Sequence, residues 1–285
     1  MPHTPFLRCL SFMLAVIVAA GLASVAPPVA AAPATCHAVS GPRTMPLVEL
    51  FTSEGCDSCP PADRWLSARF PPQVPLQVPP QFPSQSANQS AAAPVLALAY
   101  HVDYWDRLGW RDRFASAQFT QRQREEISAS GAGIIYTPQV VVQGRDVPGW
   151  NRGRVDEAIA AAERRPPRAD IALDVTAGTD ALRLLATANV KDPMLRKRAA
   201  LWIAYADSGH VTEVGAGENR GARLRHDHVV RSLYGPFTVD ANGETRVSLN
   251  QRPPTDPGAA PVIVAFVQDK KNGDMLQAVA VTDCR

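Results

Sequence analysis

The chain has 285 residues, 46% hydrophobic and 20% charged, with 29 Lys plus Arg against 27 Asp plus Glu for a formal net charge of +2. The apolar fraction excludes wholesale disorder, the near balance of charge gives no basic footprint for nucleic acid, and five cysteines are too few for a disulfide-built fold. The length suits one large or two ordinary domains, each able to bury a core.

Residues 1–31 read as a signal peptide. Arg8 supplies a positive start, Leu10 to Ala23 a short apolar stretch, and Val29-Ala30-Ala31 the small residues a signal peptidase recognises. Pro27 and Pro28 break the run before it could span a bilayer, and no second stretch of about 20 apolar residues follows. The processed chain is therefore expected to be periplasmic or secreted, with no membrane insertion. Loss of the leader removes Cys9 and leaves Cys36, Cys56, Cys59 and Cys284, an even number that fits an oxidising compartment. Four cysteines allow three pairings. The expected one is Cys56–Cys59 with Cys36–Cys284, the latter as a structural staple between the two ends of the mature chain.

Met45 to Thr52 is short, apolar and rich in β-formers, and reads as a buried strand. Ser53-Glu54-Gly55 signals a turn, Cys56-Asp57-Ser58-Cys59 follows, and Pro60-Pro61-Ala62-Asp63-Arg64-Trp65-Leu66 opens a helix, where proline is tolerated in the first turn. This order puts Cys56 at a helix N-terminus, where unpaired N–H groups and the helix dipole favour a thiolate. A thiolate attacks disulfides, so Cys56 is the expected nucleophile and Cys59 the thiol that resolves the mixed disulfide. A zinc half-site and an inert structural disulfide are the competing readings. No second CxxC or paired His motif at zinc-like spacing supports the former.

Residues 71–94 are low-complexity, rich in Pro, Gln, Ser, Ala and Asn, and read as a loop insertion without chemistry. Val95 to Asp103 is a second buried strand, expected parallel to the first. His101, Asp103, Tyr104 and Trp105 then emerge at its carboxyl end, the side from which ligands approach open α/β sheets. His101 could support the Cys56 thiolate, complete a copper site with Cys56 and Cys59, or be a hydrogen-bonded structural residue. Trp105 and Trp110 could wall the site or simply pack. Asp112 to Ser130 reads as a helix, with Phe114, Ala117, Gln118 and Ile127 inward and Arg113, Arg122, Arg124, Glu125 and Glu126 solvated. Ile134 to Gly144 is a strand interrupted at its start by Thr137-Pro138, since proline joins a sheet only at a strand start or edge. Asn151 is the expected cap of a helix over Arg152 to Arg164.

The segment from Glu49 to Asp63, together with His101-Val102-Asp103-Tyr104-Trp105-Asp106 and Gly109-Trp110, is similar to a bacterial family of secreted thioredoxin-like proteins of undetermined function. The strand before CxxC and Thr137-Pro138 before Val140-Val141-Val142 resemble the two signature segments of the thioredoxin superfamily. The resemblance implies that Pro138 is cis and faces the CxxC, and that the backbone at Thr137 is free to pair with a substrate strand. It also implies a buried acid near the CxxC as proton acceptor for the resolving thiol. Glu49 is the candidate, one residue further from Cys56 than that pattern expects; a carboxylate aimed at solvent is the alternative. Asp57-Ser58 matches neither thioredoxins nor their strongly oxidising relatives.

Arg164-Arg165-Pro166-Pro167-Arg168 reads as a domain boundary. Beyond it come short strands at Ile171–Val175, Ala181–Ala188, Ala199–Ala206, Phe237–Val239 and Pro261–Val267, separated by turn signals at 241–243 and 271–274. The expectation is an α/β protein: a thioredoxin-like domain over 40–165 followed by a mostly antiparallel, immunoglobulin-like β-sandwich over 168–285. His226-Asp227-His228 resembles a metal cluster, but alternation along a strand lets only His226 and His228 share a ligand, and a structural role is expected. The functional expectation is an exported thiol–disulfide oxidoreductase, needing no cofactor or metal, that exchanges electrons with cysteine-containing envelope proteins or an electron-donor protein and binds no nucleic acid. The alternative is a non-catalytic envelope binding protein that holds copper through Cys56, Cys59 and His101.

Overall fold

Fourteen strands and few helices make up the computed structural model, which describes residues 1, 34–72, 95–282 and 284. The expected signal peptide and most of the 71–94 insertion lie outside the described residues. In chain order the elements are β1 (Thr35–Val39), β2 (Leu47–Thr52), α1 (Pro60–Arg69), β3 (Leu96–His101), α2 (Ala117–Ser130), β4 (Gln139–Val142) and β5 (Arg145–Asp146). Then follow α3 (Arg154–Glu163), β6 (Asp170–Ala177), β7 (Leu182–Asn189), α4 (Pro193–Arg196), β8 (Ala199–Ser208) and β9 (His210–Glu213). The last are β10 (Arg223–His226), β11 (Val229–Thr238), β12 (Glu244–Gln251), β13 (Ala259–Asp269) and β14 (Met275–Thr282).

An eight-stranded sheet, ordered β14-β13-β8-β11-β3-β2-β4-β5, runs through both halves of the sequence. The join is the parallel meeting of β11 and β3 at Val229 and Ala99, where the Ala99 amide donates to the His228 carbonyl. A four-stranded sheet, β1-β6-β7-β12, packs against the β8–β13–β14 end, and β9 and β10 form a separate ribbon. Pro33–Arg285 is one compact unit, so the expected boundary at 166–168 does not separate two bodies. The double proline instead carries the chain from α3 into β6, and β1, which precedes the first predicted strand, pairs with β6.

The sheet alternation sets the layers. Leu201, Ile203 and Tyr205 of β8 face the four-stranded sheet, while Trp202, Ala204 and Ala206 face the other way, in one cluster with Phe51, Tyr100 and the α2 residues Phe119 and Ile127. On β2, Val48 and Leu50 turn to the opposite face and pack with Ala62 and Leu66 of α1 and Val155 and Ile159 of α3. Two helix starts differ from expectation. The α2 helix begins at Ala117, because Ser116 accepts the Gln118 amide as its cap and the Asp112 carboxylate is occupied by the Glu54 and Phe114 amides. The cap of α3 is Gly153, with Asn151 inside a preceding 3-10 turn. The predicted solvated face of α2 also needs correction: Arg122 and Glu126 are buried beside Phe119 and Ile127. No described helix is long and apolar enough to cross a membrane.

Cys36 and Cys284 are bonded, tying β1 to the segment after β14 across 248 positions of sequence. A cross-link enclosing so long a loop restricts the unfolded chain strongly, and such bonds typically contribute about 2–5 kcal/mol. Cys36→Ala/Cys284→Ala should therefore lower the urea midpoint and, by letting the unfolded chain expand, steepen the slope; an unchanged midpoint would refute the staple's role.

Candidate active site

Cys56 and Cys59 form the second disulfide, with Cα atoms 5.4 Å apart. The turn is closed by the Cys59 amide donating to the Cys56 carbonyl, and Cys59 is the N-cap of α1. Cys56 thus lies in the turn before the helix rather than in its first turn. Pro60 and Pro61 fill the first helical positions and have no N–H, so the helix end offers a thiolate fewer donors than the sequence alone suggests.

The 137–138 bend meets the disulfide, as the resemblance implies. The Thr137–Pro138 bond is cis, and the Thr137 hydroxyl lies 3.4 Å from Cys56 Sγ while accepting a 2.8 Å hydrogen bond from Trp105 Nε1. The Ser58 hydroxyl is 3.3 Å from the same sulfur. Both cysteines are 0% exposed, although Asp57 and Ser58 between them reach solvent. In this state, then, the disulfide is covered.

Part of the surrounding frame comes from the second half of the chain. Asn219 Nδ2 donates to the carbonyls of Glu54 and Cys56, and Glu218 accepts from the Asp57 amide. These residues belong to the β9–β10 loop, whose Gly215 and Gly217 lie so close to Trp110 that an added Cβ would stand 3.1 and 3.3 Å from it. Trp110 in turn donates to Glu54 Oε2.

Beneath this frame sits a buried charged cluster. His101 Nδ1 is 2.6 Å from Asp112 Oδ2, its ring packs edge-on against His226 at 4.9 Å, and His226 Nε2 is 3.3 Å from Glu54 Oε1. Burial opposes a charged His101, but Asp112, Asp63 and Glu54 together hold the imidazole above its usual range; burial likewise opposes ionised Asp112, and His101 with the Glu54 and Phe114 amides together hold its carboxyl below the usual range. Asp63 of α1, one helical turn beyond Cys59, bonds the Thr52 hydroxyl. Burial pushes its carboxyl up, against the pull of His226 and His101. Among the described residues, no group of three or more His, Cys, Asp or Glu is arranged to hold a metal ion.

Glu49 requires correction on both readings. It is fully buried, not aimed at solvent, and it points to the α2 face of the sheet, away from α1, where it pairs with Arg122 at 2.5 Å. The strand alternation decides this: Val48 and Leu50 take the α1 face and leave residue 49 the other. Asp103 and Tyr104 bond Thr120 and Gln123 of α2, at the site's flank, and Trp105 donates to Thr137. His226, Asp227 and His228 diverge: His226 enters the cluster, Asp227 bonds the Gly209 amide, and His228 bonds the Phe70 carbonyl. Sequence reasoning missed Asp63, Asp112, Glu218 and Asn219. Only Asp63 carried a local signal, as an acid four positions from Cys59 at the start of a helix.

Residues 47–268 match a family described as "Protein of unknown function (DUF1223)". No curated protein matches the sequence. Among solved structures, protein AGR_C_4864 from Agrobacterium tumefaciens is 24% identical with a TM-score of 0.52, covering 84% of this chain and 94% of its own. HBP35 of Porphyromonas gingivalis is 15% identical with a TM-score of 0.58, covering 85% of this chain and 76% of its own. At these identities the likeness is one of fold.

Proposed function

The chain belongs to this family of proteins of unknown function, and from its site we propose that it is an exported thiol–disulfide oxidoreductase acting on cysteine-containing proteins. The observation that carries the reading is the approach of the Thr137 hydroxyl to within 3.4 Å of Cys56 Sγ, which sets a bonded CxxC pair against a backbone bend able to align a substrate. The order β3-β2-β4-β5, with β2 and β3 parallel across α1 and β4 antiparallel to β2, supports a thioredoxin-like reading of residues 40–165. The facing antiparallel sheets support a sandwich of immunoglobulin type over 168–285. The Cys36–Cys284 bond fits an oxidising, extracytoplasmic compartment.

In the forward direction the Cys56 thiolate attacks a substrate disulfide and expels one substrate thiolate. Cys59 then attacks Cys56 Sγ, expels the second, and re-forms the Cys56–Cys59 bond. Two electrons pass from the protein to the substrate. Since Cys56 is covered, the reading requires Trp105 and Thr137 to part before a substrate sulfur can reach it. Equilibration of the native mature protein with reduced and oxidised glutathione, followed by alkylation and thiol counting, tests this. The expected result is reversible loss of two thiols at one midpoint while the Cys36–Cys284 bond stays closed. A CxxC bond that opens only in denaturant would be a structural bond and would overturn the proposal.

A further inference from the structure

The Cys56–Asp57 peptide group is held at both of its polar atoms by two consecutive residues of the C-terminal half. Asn219 Nδ2 donates to the Cys56 carbonyl at 2.9 Å, and Glu218 Oε2 accepts from the Asp57 amide at 3.3 Å. The second hydrogen of the Asn219 amide goes to the Glu54 carbonyl, also at 2.9 Å. The loop that makes these bonds is braced within itself. The Val214 amide donates to the Ala222 carbonyl and the Gly221 amide to the Val214 carbonyl, while the Arg220 and Ala222 amides donate to the Gly217 and Asn219 carbonyls. At the far end of α1, His228 Nε2 donates to the Phe70 carbonyl, so the C-terminal half fixes the CxxC helix at both ends.

Such contacts shift an equilibrium only by the difference they make between its two states. Here the difference has two sources. Cys56 and Cys59 are bonded, with Cα atoms 5.4 Å apart, and unbonded sulfurs cannot stay at bonding distance, so the turn must widen when the bond opens and strain the three bonds to residues 218 and 219. The Glu218 carboxylate, joined by exposed Asp57, faces a neutral sulfur in the closed form and a thiolate in the open one. Favouring the thiolate are the Ser58 and Thr137 hydroxyls, neutral groups 3.3 and 3.4 Å from Cys56 Sγ. The imidazoles of His101 and His226 each sit beside a carboxylate of their own, Asp112 and Glu54.

We propose that the 214–222 loop sets the redox poise of the CxxC pair, holding its turn in the bonded shape and placing a carboxylate beside Cys56, so that the reduced protein is a donor of electrons to disulfides of other proteins. The inference rests on the thiol–disulfide reading above. A dithiol donor supplies two electrons and two protons, opens the Cys56–Cys59 bond and leaves as a disulfide. The reduced pair then passes both electrons to the substrate, closing its own S–S bond as the substrate's opens. On this account the C-terminal half is part of the redox centre, and Asn219 and Glu218 are its positioning residues.

Equilibration of the mature protein and its variants with reduced and oxidised dithiothreitol, followed by alkylation and peptide mapping of Cys56 and Cys59, gives the reduced-to-oxidised ratio at which the pair is half open. Asn219→Ala should lower that ratio about tenfold, the scale of one or two net hydrogen bonds. Glu218→Gln keeps an acceptor for the Asp57 amide but removes the charge; it should lower the ratio about threefold at low ionic strength and little at about 0.5 M salt, where exposed charges are screened. Coupling is reciprocal, so reduction of the wild-type pair should speed hydrogen exchange across residues 214–222 and leave β13 unchanged. A midpoint that stays or rises in either variant, or loop exchange indifferent to the state of the pair, overturns the inference while the redox reading stands. A wild-type pair that dithiothreitol opens only in denaturant removes the redox reading, and this inference with it.

Discussion

Replacing Cys56 with serine is expected to abolish the proposed thiol–disulfide turnover, a loss on the order of 10³-fold or more, the scale seen when an enzyme loses its covalent nucleophile. Cys59→Ser should behave differently: the first attack survives and a mixed disulfide between Cys56 and the substrate accumulates, visible as an adduct by mass spectrometry. The fold should survive both changes. The Cys56–Cys59 bond closes a loop with a sequence separation of 3, so it restricts the unfolded chain by only about 2 kcal/mol. The long Cys36–Cys284 staple remains. The asymmetry follows from geometry, since Cys56 is the sulfur that meets Thr137 and Ser58, while Cys59 caps α1. A Cys56→Ser protein that turns over at more than a tenth of the wild-type rate would show that chemistry, if any, lies elsewhere.

What was legible in the sequence was what is local in the chain. The strand, turn, CxxC and helix opening follow from composition over some twenty residues, and Thr137-Pro138 marks its own strand start. Short strands at Ala199–Ala206 and Pro261–Val267 are the cores of β8 and β13. The misses are long-range. A helical stripe can be read two ways when polar residues are paired inside, so Arg122 and Glu126 passed for a solvated face although both are buried against partners on β2 and β13. Glu49 was assigned by its distance from Cys56 along the chain, whereas the two-residue alternation of β2 decides which layer it enters. Asn219 and His226 reach the site only because β11 docks on β3, a tertiary fact with no local signature. The same pairing joins the two halves in one sheet across Pro166-Pro167, for proline breaks helices and ladders without saying whether the next element returns to the same sheet.

Arg122→Ala should be among the most destabilising single changes in the protein, at about 3–5 kcal/mol, because it strands a buried carboxylate. Arg122 is almost wholly buried; its guanidinium pairs with Glu49 Oε1 at 2.5 and 3.0 Å and with Glu126 Oε2 at 3.7 Å, and lies near the rings of Tyr100, Trp202 and Phe266. Two carboxylates share this one cation, and each keeps an oxygen without a hydrogen-bond partner. Burial, then neighbouring Glu49, push the Glu126 carboxyl well above its usual range, against the pull of Arg122. A carboxyl raised in the folded state contributes stability that is complete below its unfolded value and disappears as pH rises through the folded one. Without Arg122 that pull on Glu126 is lost, so the deficit of the variant should be smaller near pH 5 than at pH 8. Urea melts of both proteins at the two pH values measure it. Replacing all three charges together, as Glu49→Leu, Arg122→Met and Glu126→Leu, should recover most of the loss, since a well-packed apolar substitute removes the desolvation cost along with the attraction. If Arg122→Ala costs under about 1 kcal/mol at pH 8, water already reaches Glu49 and the pair is a solvated one.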